Sequence, residues 1–167
     1  HKDDENVYCF DEIVVENTTT QKCIEEFIRR YPDHKGGIVI NGDASGDNRS
    51  TQSEHTNYVI IKNALIKAGY EYKKDFKFEL RDYNPPILNR IYAFNAKVKS
   101  ASGKVHFFVD AKCKWLIYNM HNLMFKEGTT IVDVPSHAQI RKSRESKFLE
   151  HPFDAISYLV ERYWRIR

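Results

Sequence analysis

Short runs of β-branched and aromatic residues alternate along this chain with apolar stripes at helical spacing. The two periods demand different partners for their apolar faces, which argues against an all-helical bundle or an all-β sandwich. Val7 to Val15 reads as a first strand, and Asn17 and Thr18 are capping types ahead of a stripe at Cys23, Ile24, Phe27 and Ile28. Pro32 ends that helix. Ile38–Asn41 then follows as a short, continuously apolar strand, a pattern that predicts burial on both faces. Gly42 to Ser53 is a polar loop, and Tyr58, Ile61, Leu65 and Ala68 make the next stripe, stopped by Gly69.

The alternation continues to the end of the sequence. Phe76 to Leu80 reads as a strand, and Asn84-Pro85-Pro86 breaks the chain before a helix marked by Ile87, Ile91, Phe94 and Val98. Gly103 turns into the strand Val105–Val109. Cys113, Leu116, Met120 and Leu123 predict a helix ended near Gly128, and Phe153, Ile156, Val160 and Tyr163 predict the last one. Strands and helices in this order indicate an α/β domain with a central, at least partly parallel sheet.

At 167 residues the chain fits one domain able to bury a core without disulfides or metals. Its net charge of +3 permits a nucleic-acid partner without arguing for one. The cysteines Cys9, Cys23 and Cys113 are odd in number, match no zinc spacing and lie in apolar stretches, so they read as buried thiols of a reducing compartment. No apolar run approaches the roughly 20 residues of a membrane span, and the N-terminal stretch has no signal-peptide character, so a cytoplasmic location is expected. The chain opens on His1-Lys2-Asp3-Asp4-Glu5-Asn6 without methionine and passes at once into a strand. That start predicts a segment of a longer protein with a structured part before it.

Two acids stand out as candidates for chemistry. Asp43 closes the apolar run Ile38-Val39-Ile40-Asn41-Gly42-Asp43, and ligands of open α/β sheets gather beyond the carboxyl ends of strands. The small residues Gly42, Ala44, Ser45 and Gly46 would let a substrate backbone approach, although Gly-Asp and Ser-Gly pairs are also ordinary turn residues. Asp154 lies in His151-Pro152-Phe153-Asp154-Ala155, where Pro152 suits a first helical position and His151 a cap. An Asp in a first turn is favoured by the helix dipole whatever its chemistry. His151 and Asp154 are three residues apart and can share one face.

Carboxylates brought together repel unless a cation lies between them, and oxygen donors favour Mg²⁺ or Mn²⁺, with the imidazole tilting toward Mn²⁺. Two such ions about 4 Å apart can hydrolyse a phosphodiester, normally with a third carboxylate. Only Asp11 and Glu12 lie in a similarly apolar setting, and both read as strand-edge decoration. Arg90 is a candidate phosphate contact, against a solvated helix face. Arg141, Lys142, Arg144 and Lys147 form a basic run able to follow a nucleic-acid backbone, against a merely solvated loop. No Gly-rich phosphate loop and no Ser-His-Asp set is visible.

At these residues the chain resembles the C-terminal nuclease domain of tailed-phage large terminase subunits. The resemblance runs in order through Phe10-Asp11-Glu12-Ile13, Gly42-Asp43-Ala44-Ser45-Gly46 and Asn84-Pro85-Pro86 with Arg90 and Asn95. It continues through Phe108-Val109-Asp110-Ala111-Lys112-Cys113-Lys114-Trp115-Leu116-Ile117 and Phe125-Lys126-Glu127-Gly128-Thr129. It closes on His151-Pro152-Phe153-Asp154-Ala155-Ile156-Ser157-Tyr158. It implies an RNase H-like fold, a central mixed sheet flanked by helices, across a single nuclease domain spanning 1–167.

The same resemblance implies a two-metal endonuclease that cuts concatemeric double-stranded DNA, with Mg²⁺ or Mn²⁺ held by Asp43, Asp154 and His151. Its implied partners are an ATPase motor domain, a small terminase subunit and a portal, in the cytoplasm of a bacterial host. Two departures stand against the family pattern: a first strand with its catalytic Asp and the ATPase domain are missing, and the stretch from Gly128 to His151 is longer. A resolvase or transposase core is the alternative with the same chemistry. A DNA-binding or motor-docking module without catalysis is the alternative without it.

Overall fold

The computed structural model describes residues 1–16, 18–34, 37–48, 55–136, 143, 148–149 and 151–166. These residues gather into two compact units, His1–Glu12 with Pro85–Arg167 and Ile13–Asn84. Each unit carries a two-stranded parallel sheet among the described residues, where the sequence suggested one central sheet. The α/β class stands in this coarser form. Among the described residues both ladders are parallel, and antiparallel pairing is limited to the isolated bridges Lys2–Val7 and Phe125–Val132.

In the unit of 13–84, α1 (Thr20–Arg30) starts at Thr19, whose side chain accepts from the Lys22 amide, and ends before Pro32. Strand β2 (Ile38–Ile40) pairs with β3 (Phe76–Phe78) in the register Ile38 with Phe76 and Ile40 with Phe78. Between them runs α2 (Asn57–Lys67), as a parallel neighbour requires a crossover. Its end is well determined: Tyr70 N–H returns to Leu65 C=O and Gly69 N–H to Ile66 C=O, with Gly69 at φ +92°. That double closure needs a left-handed residue at position 69, which glycine adopts without strain. Leu65, Tyr70 and Phe76 form the buried centre, with Ile24, Phe27 and Ile61 packed on them. Val39 is 36% exposed, so β2 is not buried on both faces as its apolar run suggested.

In the other unit, β1 (Val7–Cys9) pairs with β4 (Phe107–Val109), Val7 opposite Phe107. The first strand stops at Cys9 rather than running to Val15: Cys9 is the last residue paired with β4, and its C=O accepts the Asp110 amide. Helices α3 (Ile87–Val98), α4 (Lys114–Asn122) and α5 (His151–Tyr163) complete it. Phe94 packs edge-on against Phe107 at 4.8 Å and Phe153 at 5.1 Å, so one aromatic chain ties α3 to β4 and α5. Leu116 and Val160 close the same core. Helix α4 ends at Asn122, earlier than the Gly128 that sequence suggested; Gly128 instead turns the chain between Phe125 and Val132 with φ +68°. Among the described residues no helix is long and apolar enough to cross a membrane.

Candidate functional site

Asp43 lies just past the carboxyl end of β2, at the start of a 3-10 turn over Ala44–Asp47. Its carboxylate Oδ1 accepts the Ser45 amide and, at 2.9 Å, the side-chain N–H of Asn84. Asn84 returns the favour through its own oxygen, which accepts Ala44 N–H at 2.8 Å. Tyr58, on the first turn of α2, donates its hydroxyl to Asp43 C=O at 2.5 Å. Two partners from outside it, Tyr58 and Asn84, therefore fix the loop. The glycines there are explained by the same tyrosine: a Cβ at Gly42 would meet Tyr58 Oη at 2.8 Å, and one at Gly46 would meet its ring at 2.9 Å. They make room for Tyr58.

Asp154 lies in the other unit, on the first turn of α5, with its side chain 32% exposed. Oδ1 accepts from Arg90 Nη1 at 2.6 Å, and the same nitrogen donates to Ser157 Oγ at 2.9 Å. Arg90 is only 6% exposed and lies over the Tyr158 ring at 4.1 Å. Its expected place on a solvated helix face is overturned, and a surface contact to phosphate is not what its guanidinium makes here. The guanidinium joins α3 to α5 through the carboxylate proposed as a ligand. His151 is the first residue of α5 and exposed, rather than a cap preceding it.

The start of α5 is instead anchored by α4. Buried Asn119 accepts Phe153 N–H on its side-chain oxygen at 3.1 Å and donates to Phe148 C=O at 2.8 Å. Glu12 plays the matching part for α4, with Oε1 on Trp115 N–H at 2.8 Å and Oε2 on Leu116 N–H at 3.0 Å. A carboxylate so placed satisfies two orphan amides and complements the helix dipole. Glu12 is thus neither strand-edge decoration nor an uncommitted spare ligand. Asp11 Oδ1 accepts the neighbouring Glu12 amide, a local turn contact.

Asp43 and Asp154 carry hard oxygen donors of the kind that Mg²⁺ or Mn²⁺ prefer, but one oxygen of each is engaged, by Ser45 and Asn84 in one unit and by Arg90 in the other. No group of three or more His, Cys, Asp or Glu able to hold a metal gathers among the described residues. Arg141, Lys142, Arg144 and Lys147 lie outside the described residues. The three cysteines are free; burial pushes the Cys9 thiol up to about 12 and raises those of Cys23 and Cys113 as well.

Asn84, Tyr58, Ser157 and Asn119 are the positioning residues that the motif reading missed. Ser157 and Asn119 carried a signal: each is polar within an otherwise apolar helical register, between Phe153 and Val160 and between Leu116 and Leu123. Comparisons with protein-family models, with curated proteins and with solved structures return no match.

Proposed function

We propose that the chain is a metal-dependent endonuclease domain of RNase H-like fold, similar to the nuclease domain of tailed-phage large terminase subunits. In this reading Asp43 and Asp154, with His151 beside the latter, hold Mg²⁺ or Mn²⁺ against a phosphodiester of double-stranded DNA. Bound ions would supply charge to the attacking and leaving oxygens. Arg141, Lys142, Arg144 and Lys147 follow the DNA backbone. An ATPase motor domain, a small terminase subunit and a portal are the partners this reading brings, within a bacterial host cell.

The observation that carries the reading is Asp43: a carboxylate immediately beyond a parallel strand, in a loop held by Tyr58 and Asn84. The test is nicking of supercoiled plasmid by the chain in Mn²⁺ and in Mg²⁺. With few carboxylates to hold an ion, slow cutting that Mn²⁺ supports better than Mg²⁺ is expected. Asp43→Asn and Asp154→Asn should each abolish it with the fold retained. Cutting at the unchanged rate by Asp43→Asn discards the assignment.

A second reading has its own support, since Arg90 already neutralises Asp154 and Glu12 already caps α4. A DNA-binding or motor-docking module with no catalysis fits those contacts, and predicts DNA binding with no nicking in either metal.

A further inference from the structure

We propose that Ile13-Val14-Val15 is a strap that closes on the free edge of β2 as a third, parallel strand of that sheet. The closure needs neither metal nor DNA and stands apart from the nuclease reading.

The edge is open to such a strand. Ile38 N–H donates to Asp75 C=O at 3.1 Å, and Ile40 C=O accepts Glu79 N–H at 2.9 Å. Successive residues of a strand turn their backbone groups to opposite sides, so Val39 turns its N–H and C=O away from β3. Among the described residues neither group has a partner. Along the same edge runs a groove of about 350 Å³ whose lining includes Ile13, Cys23, Phe27, Ile38, Val39 and Ile40. Ile38 and Ile40 point to one face of the strand and Val39 to the other, so a groove touching all three lies at the edge. No β3 residue lines it among the described residues. Its walls are almost wholly apolar, so water gains little there and an apolar side chain suits it.

Helix α1 lacks cover on the same side. It carries an apolar stripe at Cys23, Ile24, Phe27 and Ile28, yet none of its residues is fully buried. A helix so patterned hides that face against the core, and here Cys23 and Phe27 border the groove instead.

The chain supplies the strand that would cover both. Ile13, Val14 and Val15 are β-branched, and none of their N–H groups has a partner among the described residues. Val15 is 39% exposed, while Ile13 already reaches the groove. The direction follows from the connection. Thr20, opening α1, donates to Asn57, opening α2, at 2.7 Å, and Tyr58 beside it reaches Asp43, just past the end of β2. Helix α1 therefore starts at the carboxyl end of β2, and a strand entering it through residues 16–19 runs parallel to β2. That repeats the crossover by which α2 joins β2 to β3. With Val14 opposite Val39, Val39 N–H donates to Ile13 C=O and Val15 N–H donates to Val39 C=O. Ile13 and Val15 then face α1.

The test is amide hydrogen exchange of the full chain, followed residue by residue. Val39 N–H should exchange at least about a hundredfold more slowly than an unstructured amide, as Ile38 N–H does. Two prolines separate the closed strap from the open one. Val15→Pro removes the donor to Val39 C=O and should return Val39 to fast exchange. Val14→Pro removes an N–H on the outer edge, where proline is tolerated, and should leave Val39 within about threefold of the parent. Protection retained at Ile38 shows in each variant that the sheet is intact. If either variant loses it, the unmodified protein decides through a hydrogen-bond scalar coupling between the Val15 amide nitrogen and the Val39 carbonyl carbon.

Fast exchange at Val39 in the unmodified chain, equal effects of the two prolines, or absence of that coupling overturns the strap. Protection of Val39 that grows with protein concentration also overturns it, because a second copy then pairs with the edge.

Discussion

Arg90 and Asp154 join α3 to α5 through a 2.6 Å bond in which the arginine is buried and the aspartate keeps about a third of its side chain in solvent. The asymmetry decides what each substitution does. Losing the arginine leaves an aspartate that water can solvate, whereas losing the aspartate leaves a cation that water cannot reach.

Asp154→Ala should therefore destabilise the chain by about 2–3 kcal/mol, below the range for fully buried pairs because Asp154 is partly solvated. Asp154→Asn keeps an acceptor oxygen for Arg90 and should cost about 1 kcal/mol. Urea titrations of both variants check this. An Ala variant with the parent midpoint would show that the pair adds no stability.

The Asp43 loop gives a coupled pair. Gly42→Ala places a methyl 2.8 Å from Tyr58 Oη and should cost about 1–3 kcal/mol through overpacking. Tyr58→Phe removes that oxygen and the bond to Asp43 C=O, for about 1 kcal/mol. Combined, they should cost less than the sum by about 1 kcal/mol, because phenylalanine makes room for the methyl. Strict additivity in the double-mutant cycle would refute the contact.

Glu12 is expected to matter for folding. Glu12→Ala leaves the amides of Trp115 and Leu116 without their acceptor and should cost about 1–2 kcal/mol, with Glu12→Gln less affected. Thermal or urea unfolding measures it, and two variants of parent stability would remove the cap from the account.

Alkaline pH should act through the Cys9 thiol. Burial raises Cys9 from an ordinary value near 9 to about 12 in the folded chain. Between those values the unfolded chain has released a proton that the folded chain still holds, so stability falls as pH rises through that window. Below pH 9 the contribution is fully present. Cys9→Ala should flatten the decline of the urea midpoint between pH 9 and 11, and an unchanged slope would rule out the thiol as its cause.

For the basic run, alanine at Arg141, Lys142, Arg144 and Lys147 should weaken DNA binding without altering the fold. Each lost phosphate contact should flatten the log–log salt dependence by roughly one. Binding titrations at several salt concentrations measure the slope. An unchanged value points to a solvated loop.

Helical periodicity was the most legible signal in this chain. The stripe through Ile61 and Leu65, its stop at Gly69 and the Phe153–Val160 face all read directly from spacing, because 3.6-residue repeats persist over several turns. The strands were less legible. Three-residue ladders offer too little alternation to locate their ends, so Val7–Val15 looked continuous and β2 looked fully enclosed.

The candidate site was legible in its acids and not in their supports. Asp43 and Asp154 stand out by position, but whether an acid is engaged depends on residues distant in sequence, as Asn84 is from Asp43 and Arg90 from Asp154. Arginine is usually exposed, which hid Arg90. Its place was nonetheless marked: three residues after Ile87 and four before Phe94, it falls within the apolar face of α3.

Asn119 has a consequence for how this chain tolerates change. By holding Phe148 C=O and Phe153 N–H with one amide, it registers α5 against α4. A change at Asn119 therefore disturbs the address of Asp154 without touching the acid or its helix.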